Sequence, residues 1–546
     1  MISARILNVD LSKKEIWLEN IDWQGIGGRG FGANLLRKNL VKNAFDEKSS
    51  VFFISSPLVG FAPAVNRTWV VCVSPLTGFY LCSSAGGWFG GELRKSGIDV
   101  LRILGRLDSP GYLLVKNGRA SIEDASKIWG RTTDKVVSFL DRKHGGKTAC
   151  IGPAGENEVL YANILAEERA FGRGGHGAVL GNKKLKAIHV VGRMEIPCEN
   201  LEKSREIYKK MLKEVLKQKD WQKEGTLSLC EVINSAHGWP TANFRRVYFE
   251  KGEKIYYKGF EKFIVERKGC FNCPVQCARW MKIGKKIRDG PEYETVWAFG
   301  PQIENDSPEK IIKANVLCDE LGLDTISCGN ILGFYLECVE KGLLKKEWTW
   351  LQIIKKIAYK KGIGELLSKG SKAVTAGAYF AINQAGMELP AYDPRAFPGM
   401  ALTYIFSPRH GCHLKAWVVG HELKMPLEKR LSLKGKAEIV YKMMFRQLSF
   451  VDSVCLCSFL DLPDDLIVEQ YNAVVGSDYT VEDFERIGKE CLNIERNIDV
   501  SLGLTKEKDT LPGRILKEPV VVQGKEIYLE NELEDAKKEF YDLSGW

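Results

Sequence analysis

Short apolar and alternating runs, separated by Gly, Pro and Asn, dominate the first part of the chain up to about residue 195, and they predict strands. The runs fall at 5–11, 51–55, 69–74, 111–116 and 187–191. Pro197-Cys198-Glu199-Asn200 breaks that pattern. From Leu201 to about Lys219, Lys and Glu alternate with Ile, Met, Leu and Val at helical spacing, which predicts a charged amphipathic helix. Helical patterns prevail afterwards. Ser307 fits an N-cap, Pro308 the first turn, and Ile311, Ile312, Val316 and Leu317 an apolar stripe. Further helices are predicted at 331–341, 351–359 and 436–449, and the proline-rich stretch 389–398 reads as a junction. These breaks divide the chain into 1–198, 199–390 and 391–546.

Composition adds bounds. A chain of 546 residues exceeds what one core usually fills and suggests about three or four domains. Its 53 glycines concentrate in runs at 25–32, 86–91 and 172–181, a pattern of backbone brought close to something bulky. The net charge of +10 is modest for this length, and no basic stripe interleaved with aromatics marks a nucleic-acid binder. A basic surface suits an acidic protein partner. No signal peptide and no run of about twenty apolar residues is visible, so no membrane span is expected. Fifteen cysteines without an export signal point to a reducing, cytoplasmic setting.

Chemistry concentrates at Cys270-Phe271-Asn272-Cys273-Pro274-Val275-Gln276-Cys277. Three soft thiols on one short turn suit an iron–sulfur cluster, which takes four cysteines, so a distant fourth is required. A zinc site also uses a Cys-x-x-Cys half, and three unrelated surface thiols are the bland alternative. Cys457 is the best-placed fourth ligand, with Cys455, Cys412, Cys328 and Cys318 as competitors. Two segments echo each other: Asp319-Glu320-Leu321-Gly322-Leu323-Asp324 and Asp452-Ser453-Val454-Cys455-Leu456-Cys457. Each has an aspartate ahead of a small residue that allows a tight turn, where carboxylates can accept the N–H donors of an aminopyrimidine ring. Simple helix capping is the competing explanation.

With these stand Gly27-Gly28-Arg29-Gly30, Ser74-Pro75-Leu76-Thr77-Gly78-Phe79, the segments 151–157 and 169–175, Gly290-Pro291-Glu292-Tyr293-Glu294 and the closing Tyr541–Trp546 stretch. This ordered set resembles the aldehyde ferredoxin oxidoreductase family over essentially the whole length. The resemblance implies an α+β fold: a strand-rich, saddle-like N-terminal domain followed by two mainly helical domains, with the cofactor where they meet. It implies tungsten or molybdenum on two pyranopterins, Mg2+ bridging the pterin phosphates, and one [4Fe–4S] cluster held by Cys270, Cys273, Cys277 and Cys457. Asp319 with Asp324, and Asp452 with the Cys457 region, would each read one pterin. Arg67 would lie between cluster and pterin, with an ion pair as its bland alternative. Gly86 would approach the phosphates, and Arg169 or Arg173 would contact a pterin or phosphate. Glu294 and His413 would face the substrate, Glu294 activating water or substrate and His413 hydrogen-bonding the carbonyl oxygen, with His410 an alternative.

The implied reaction is oxidation of an aldehyde to a carboxylic acid, or its reverse, with electrons passing to ferredoxin or an iron–sulfur partner subunit. Same-scaffold subunits acting on an aryl-CoA thioester or a hydroxy acid, and a cluster-only electron-transfer subunit, are the alternatives. Ser84 stands where the family pattern has asparagine, and Cys455 where it has glycine. No Glu-x-x-His motif occurs, and Lys313 falls at its expected first position, so the iron that bridges two subunits in some members is not expected.

Overall fold

All five predicted strands form, within two six-stranded sheets. The first runs Glu15–Ile21, Ala4–Asp10, Val100–Leu104, Val51–Ile54, Thr68–Val73, Tyr80–Ala85, antiparallel except where Ala4–Asp10 lies parallel to Val100–Leu104. The second runs Arg169–Phe171, Ile164–Ala166, Lys147–Cys150, Leu185–Val191, Gly111–Lys116, Arg119–Asp124. Val51–Ile54 and Thr68–Val73 are buried throughout, as their unbroken apolar text requires. The outer strands Glu15–Ile21 and Arg119–Asp124 carry charges that guard exposed edges. The sheets share a core in which Phe53 and Phe171 meet edge to face at 5.6 Å.

The computed structural model describes residues 2–218 and 220–546. The amphipathic helix spans Leu201–Lys217, opened by Asn200, whose side chain accepts the Lys203 N–H at 3.0 Å; Lys219, its expected end, lies outside the described residues. The helix Pro308–Leu321 begins at the Ser307 cap and ends at Gly322, which takes a left-handed φ of 76°. Asp324 then caps Thr325–Glu340, accepting the N–H groups of Ile326 and Ser327. The second Asp segment ends a π-helical turn, Gln447–Asp452, and Cys455 adopts φ 64° where glycine would be unstrained. Both Asp segments thus close a helical turn with a left-handed residue, as their shared pattern predicts.

Three strands that the sequence reading missed, Ile264–Lys268, Ala278–Ile283 and Lys286–Asp289, form an antiparallel meander. The cysteine loop joins its first two strands. Its third strand leads through Gly290 into the helix Tyr293–Phe299, so one small sheet presents both the thiols and Glu294.

A second core unites the first sheet with the helices Leu201–Lys217, Asp464–Val475 and Val481–Ser501. Arg29, fully buried, pins this junction: it pairs with Asp452 at 2.9 Å and Glu495 at 2.6 Å. Gly28 is pressed against the Asp452–Cys455 turn, so the glycines at 25–32 serve contact with protein, not with a ligand. Arg29→Met strands buried carboxylates. We expect a loss of roughly 3–5 kcal/mol, read as a lower urea unfolding midpoint; an unchanged midpoint contradicts this role.

Candidate active site

A cavity of about 850 Å³ opens where these elements converge. Every predicted site residue lines it except Asp452 and Cys273. The first region contributes Arg67, Ser84, Gly86, Arg169 and Arg173; the helical part contributes Cys270, Cys277, Glu294, Asp319, Asp324, His413 and Cys457. That volume is near the top of the usual range for small-molecule sites, about 300–1,000 Å³.

One residue fixes the thiols relative to each other. Ala64 donates its N–H to Asn272 O at 2.9 Å and accepts the Cys457 N–H at 3.1 Å. The cysteine loop and the distant Cys457 are therefore tied to the same residue. Asn272 and Gln276 take left-handed φ values of 54° and 50°, curling the loop, and the Asn272 side chain donates to Ala62 O at 3.0 Å. Burial first, then the charges of Cys457 and Cys270, push the Cys273 thiol up to about 12. Burial raises Cys277 too, against the pull of nearby Arg169. Left to themselves these thiols stay neutral; a bound cationic centre such as an iron–sulfur cluster would draw them to thiolates.

The competitors lie elsewhere. Cys455 is buried against Gly28, Cys318 and Cys328 are neighbours under the first Asp segment, and Cys412 accepts a bond from Arg409 at 2.7 Å. Among the described residues, no group of three or more His, Cys, Asp or Glu is arranged for a single metal ion. Zinc would need its four sulfurs about 3.8 Å apart, given Zn–S bonds of about 2.3 Å; a cubane spreads its thiolates over four irons.

Arg67 donates to Ser84 Oγ at 3.1 Å, lies 4.0 Å from Cys457 Sγ through its other nitrogen, and makes no ion pair among the described residues. A Cβ on Gly86 would meet Cys270 Sγ at 3.2 Å, so its backbone borders the thiols. Arg169 pairs with Glu292 at 2.8 Å and Asp289 at 3.2 Å; these carboxylates outweigh burial and hold its charge firmly. Arg173 is fixed by the carbonyls of Gly411 (2.9 Å) and Glu388, and lies 3.6 Å from Asp324.

An acidic wall faces these cations. Burial, then repulsion by neighbouring carboxylates, raises Asp319 well above the carboxylate range and Glu168 to about 7; burial raises Asp289 to about 6 against the pull of Arg169. Protonated, such groups can both donate an O–H and accept an N–H. Arg67 Nε, Arg173 Nε, Asp289 Oδ1, Asn163 Oδ1 and His413 Nδ1 are buried without a hydrogen-bond partner. A polar cavity with this many unmet donors and acceptors fits a large heterocyclic ligand carrying anionic groups.

Asp452 is different. Lys415 (3.0 Å), Arg29 (2.9 Å) and Gln447 (3.0 Å) occupy its oxygens, and the two cations outweigh burial to hold it below the usual carboxylate range. It braces the wall behind the cavity and does not face it. Asp324 likewise spends both oxygens on its cap, although it stays at the cavity surface.

His413 Nε2 lies 3.4 Å from Glu294 Oε1. Burial pushes Glu294 up to about 8, against the Ala391 N–H that it accepts at 3.1 Å. Burial, then Arg173, Arg409 and Lys415, hold His413 well below the usual imidazole range. His410 is removed from the cavity: it bonds Gln384 at 3.0 Å, faces Asp499 and packs on Phe79.

Sequence reasoning missed Glu168, Asp289, Arg409, Tyr392 and Trp417, all at the cavity. Glu168 and Asp289 border the segments 169–175 and 290–294 already singled out, which could have flagged them; Arg409, Tyr392 and Trp417 belong to no such segment.

No helix among the described residues is long and apolar enough to cross a membrane. Residues 6–192 match the model for the aldehyde ferredoxin oxidoreductase N-terminal domain, and 202–546 match that for its domains 2 and 3. The tungsten-containing aldehyde ferredoxin oxidoreductase of Pyrococcus furiosus is 34% identical, with 100% of this chain and 96% of that protein covered. The aliphatic sulfonate oxidoreductase WOR-like subunit of the same organism is 29% identical over 90% of this chain and 85% of its own length. Among solved structures, the BamBC active-site complex of benzoyl coenzyme A reductase, with 1,5-dienoyl-CoA, superposes with a TM-score of 0.87 at 20% identity, covering 100% of this chain and 95% of that one; this likeness is one of fold. Two matched domain models and full-length similarity place the chain in the aldehyde ferredoxin oxidoreductase family.

Proposed function

We propose that this protein oxidises an aldehyde to a carboxylic acid, or runs the reverse, on a tungsten- or molybdenum-bis(pyranopterin) centre, and passes electrons to ferredoxin or an iron–sulfur partner subunit. The observation that carries this reading is the Glu294–His413 pair at the wall of a cavity that Cys270, Cys277 and Cys457 also line. The pterin centre would supply two-electron redox chemistry and the cubane one-electron chemistry. Cys270, Cys273, Cys277 and Cys457 would hold the cubane. Asp319 and the acidic wall would accept pterin N–H groups, and Arg67 and Arg173 would face the anionic parts of the cofactor. Asp452 would support this arrangement through Lys415 and Arg29.

The chain's own groups handle protons. Below about pH 8 Glu294 is protonated and His413 is neutral. His413 Nδ1, buried without a partner in the protein, would in its Nδ1–H tautomer donate to a substrate carbonyl oxygen. Above about pH 8 the Glu294 carboxylate can accept a proton from water as carbon–oxygen bond formation proceeds. Tyr392, whose ring centroid is 5.5 Å from that of His413, and Trp417 give this side an aromatic wall that limits water.

Because the active form of a base is its ionised form, kcat/KM should rise about tenfold per pH unit below a midpoint near 8 and level off above it. An initial-rate profile from pH 6 to 9.5, with a short aldehyde and a viologen dye, checks this; a flat profile contradicts the assignment. An aromatic CoA thioester supplied with reduced viologen separates the aldehyde reading from thioester reduction. Dye oxidation by the thioester, without aldehyde activity, would overturn the proposal.

A further inference from the structure

Phe271 stands between two of the proposed cluster thiols, Cys270 and Cys273, and is half-buried beneath Trp88, which is 47% exposed. The rings meet edge to face, 5.7 Å between centroids, and Lys95 Nζ sits 5.1 Å from the Phe271 centroid. The Phe271 N–H donates to Gly87 O at 3.0 Å. Trp88 therefore follows a residue bonded to the cysteine loop, two positions after Gly86 of the cavity wall. On another flank of the loop, the Tyr208 hydroxyl donates to Asn272 Oδ1 at 2.8 Å. Its helix, Leu201–Lys217, carries six Lys and Arg against three Glu. Arg205, three residues before Tyr208 and so on the same helical face, is exposed.

We infer that this face, centred on Trp88 and Phe271, docks an acidic one-electron iron–sulfur carrier; the inference rests on the proposed function and locates where its electrons leave. An exposed tryptophan packed on a ring that a lysine also approaches has the composition of an interface anchor with a steering charge beside it. Redox encounters bury less than about 1,200 Å² in total, so a patch of this kind suffices. The chain's net charge of +10 favours an acidic visitor at long range. Aldehyde and water give the carboxylic acid, two protons and two electrons. Each docking event transfers one electron from the reduced enzyme to the carrier, so two carriers are reduced per aldehyde.

The test compares Trp88→Ala and Lys95→Glu with the unaltered holoenzyme. Binding of a 2[4Fe–4S] ferredoxin of net negative charge is measured by titration calorimetry, and aldehyde-dependent rates are measured with that ferredoxin and with methyl viologen. Trp88→Ala should weaken ferredoxin binding and slow ferredoxin reduction about tenfold while leaving viologen reduction and iron content unchanged. Lys95→Glu should weaken binding most at low salt and flatten its salt dependence. Unchanged ferredoxin binding overturns the docking face. So does a parallel loss of viologen reduction, which would mean that Trp88 acts only on the folded site. If the unaltered enzyme reduces neither acceptor with any aldehyde, the functional proposal fails, and the binding titration still decides the docking face.

Discussion

Glu294→Gln should slow aldehyde-dependent viologen reduction by about 10²–10⁴-fold, the usual contribution of a positioned acid or base, while leaving iron, tungsten or molybdenum, and pterin contents unchanged. Glutamine keeps the shape of the side chain and can still accept the Ala391 N–H. It cannot ionise, so the rise in rate toward a midpoint near pH 8 should vanish together with the activity. It also replaces the group that faces His413 Nε2, 3.4 Å away in the parent, with an amide. Loss of rate with the pH limb intact would place the base elsewhere, and an unaffected rate would remove Glu294 from the catalytic list.

Cys457→Ser should bleach the broad visible absorbance of the cluster and lower viologen reduction to background. The partner experiment is Cys455→Gly, which should keep both. These neighbours differ in surroundings, not in local sequence. The Cys457 N–H bonds Ala64, the residue that also holds Asn272 of the cysteine loop, and its charge bears on Cys273 and Cys277. The Cys455 thiol is buried against Gly28, and its left-handed backbone suits glycine better than cysteine. A brown, fully active Cys457→Ser protein would contradict the ligand assignment. A bleached Cys455→Gly protein would transfer the role to its neighbour.

Local physics made much of the fold legible. The helix Pro308–Leu321 could be read because Ser307, Pro308 and Gly322 each act within one turn. The buried strands Val51–Ile54 and Thr68–Val73 could be read because burial on both faces leaves an unbroken apolar run. The meander that carries the cysteine loop could not. Ile264–Lys268 and Lys286–Asp289 are short, charged and largely exposed, and their pairing is settled by the neighbouring strand.

The same distinction runs through the site. The cysteine spacing and the Asp segments announce themselves within a few residues. Whether an aspartate faces the cavity depends on partners far along the chain: Asp452 is claimed by Arg29, 423 residues away, and by Lys415. Asp319 keeps a largely free carboxyl because Asn315, one turn earlier, is its one side-chain hydrogen-bond donor among the described residues. The raised pKa values of Glu294, Glu168 and Asp289 likewise follow from burial and crowding that only the assembled fold creates.

Metal and pterin analysis of protein purified without oxygen tests the central claim most directly. The account predicts one tungsten or molybdenum, two pyranopterins and about four iron atoms per chain, the iron being that of a single cubane. Iron at that level with neither heavy metal nor pterin would reduce the protein to an electron-transfer subunit and contradict the catalytic reading.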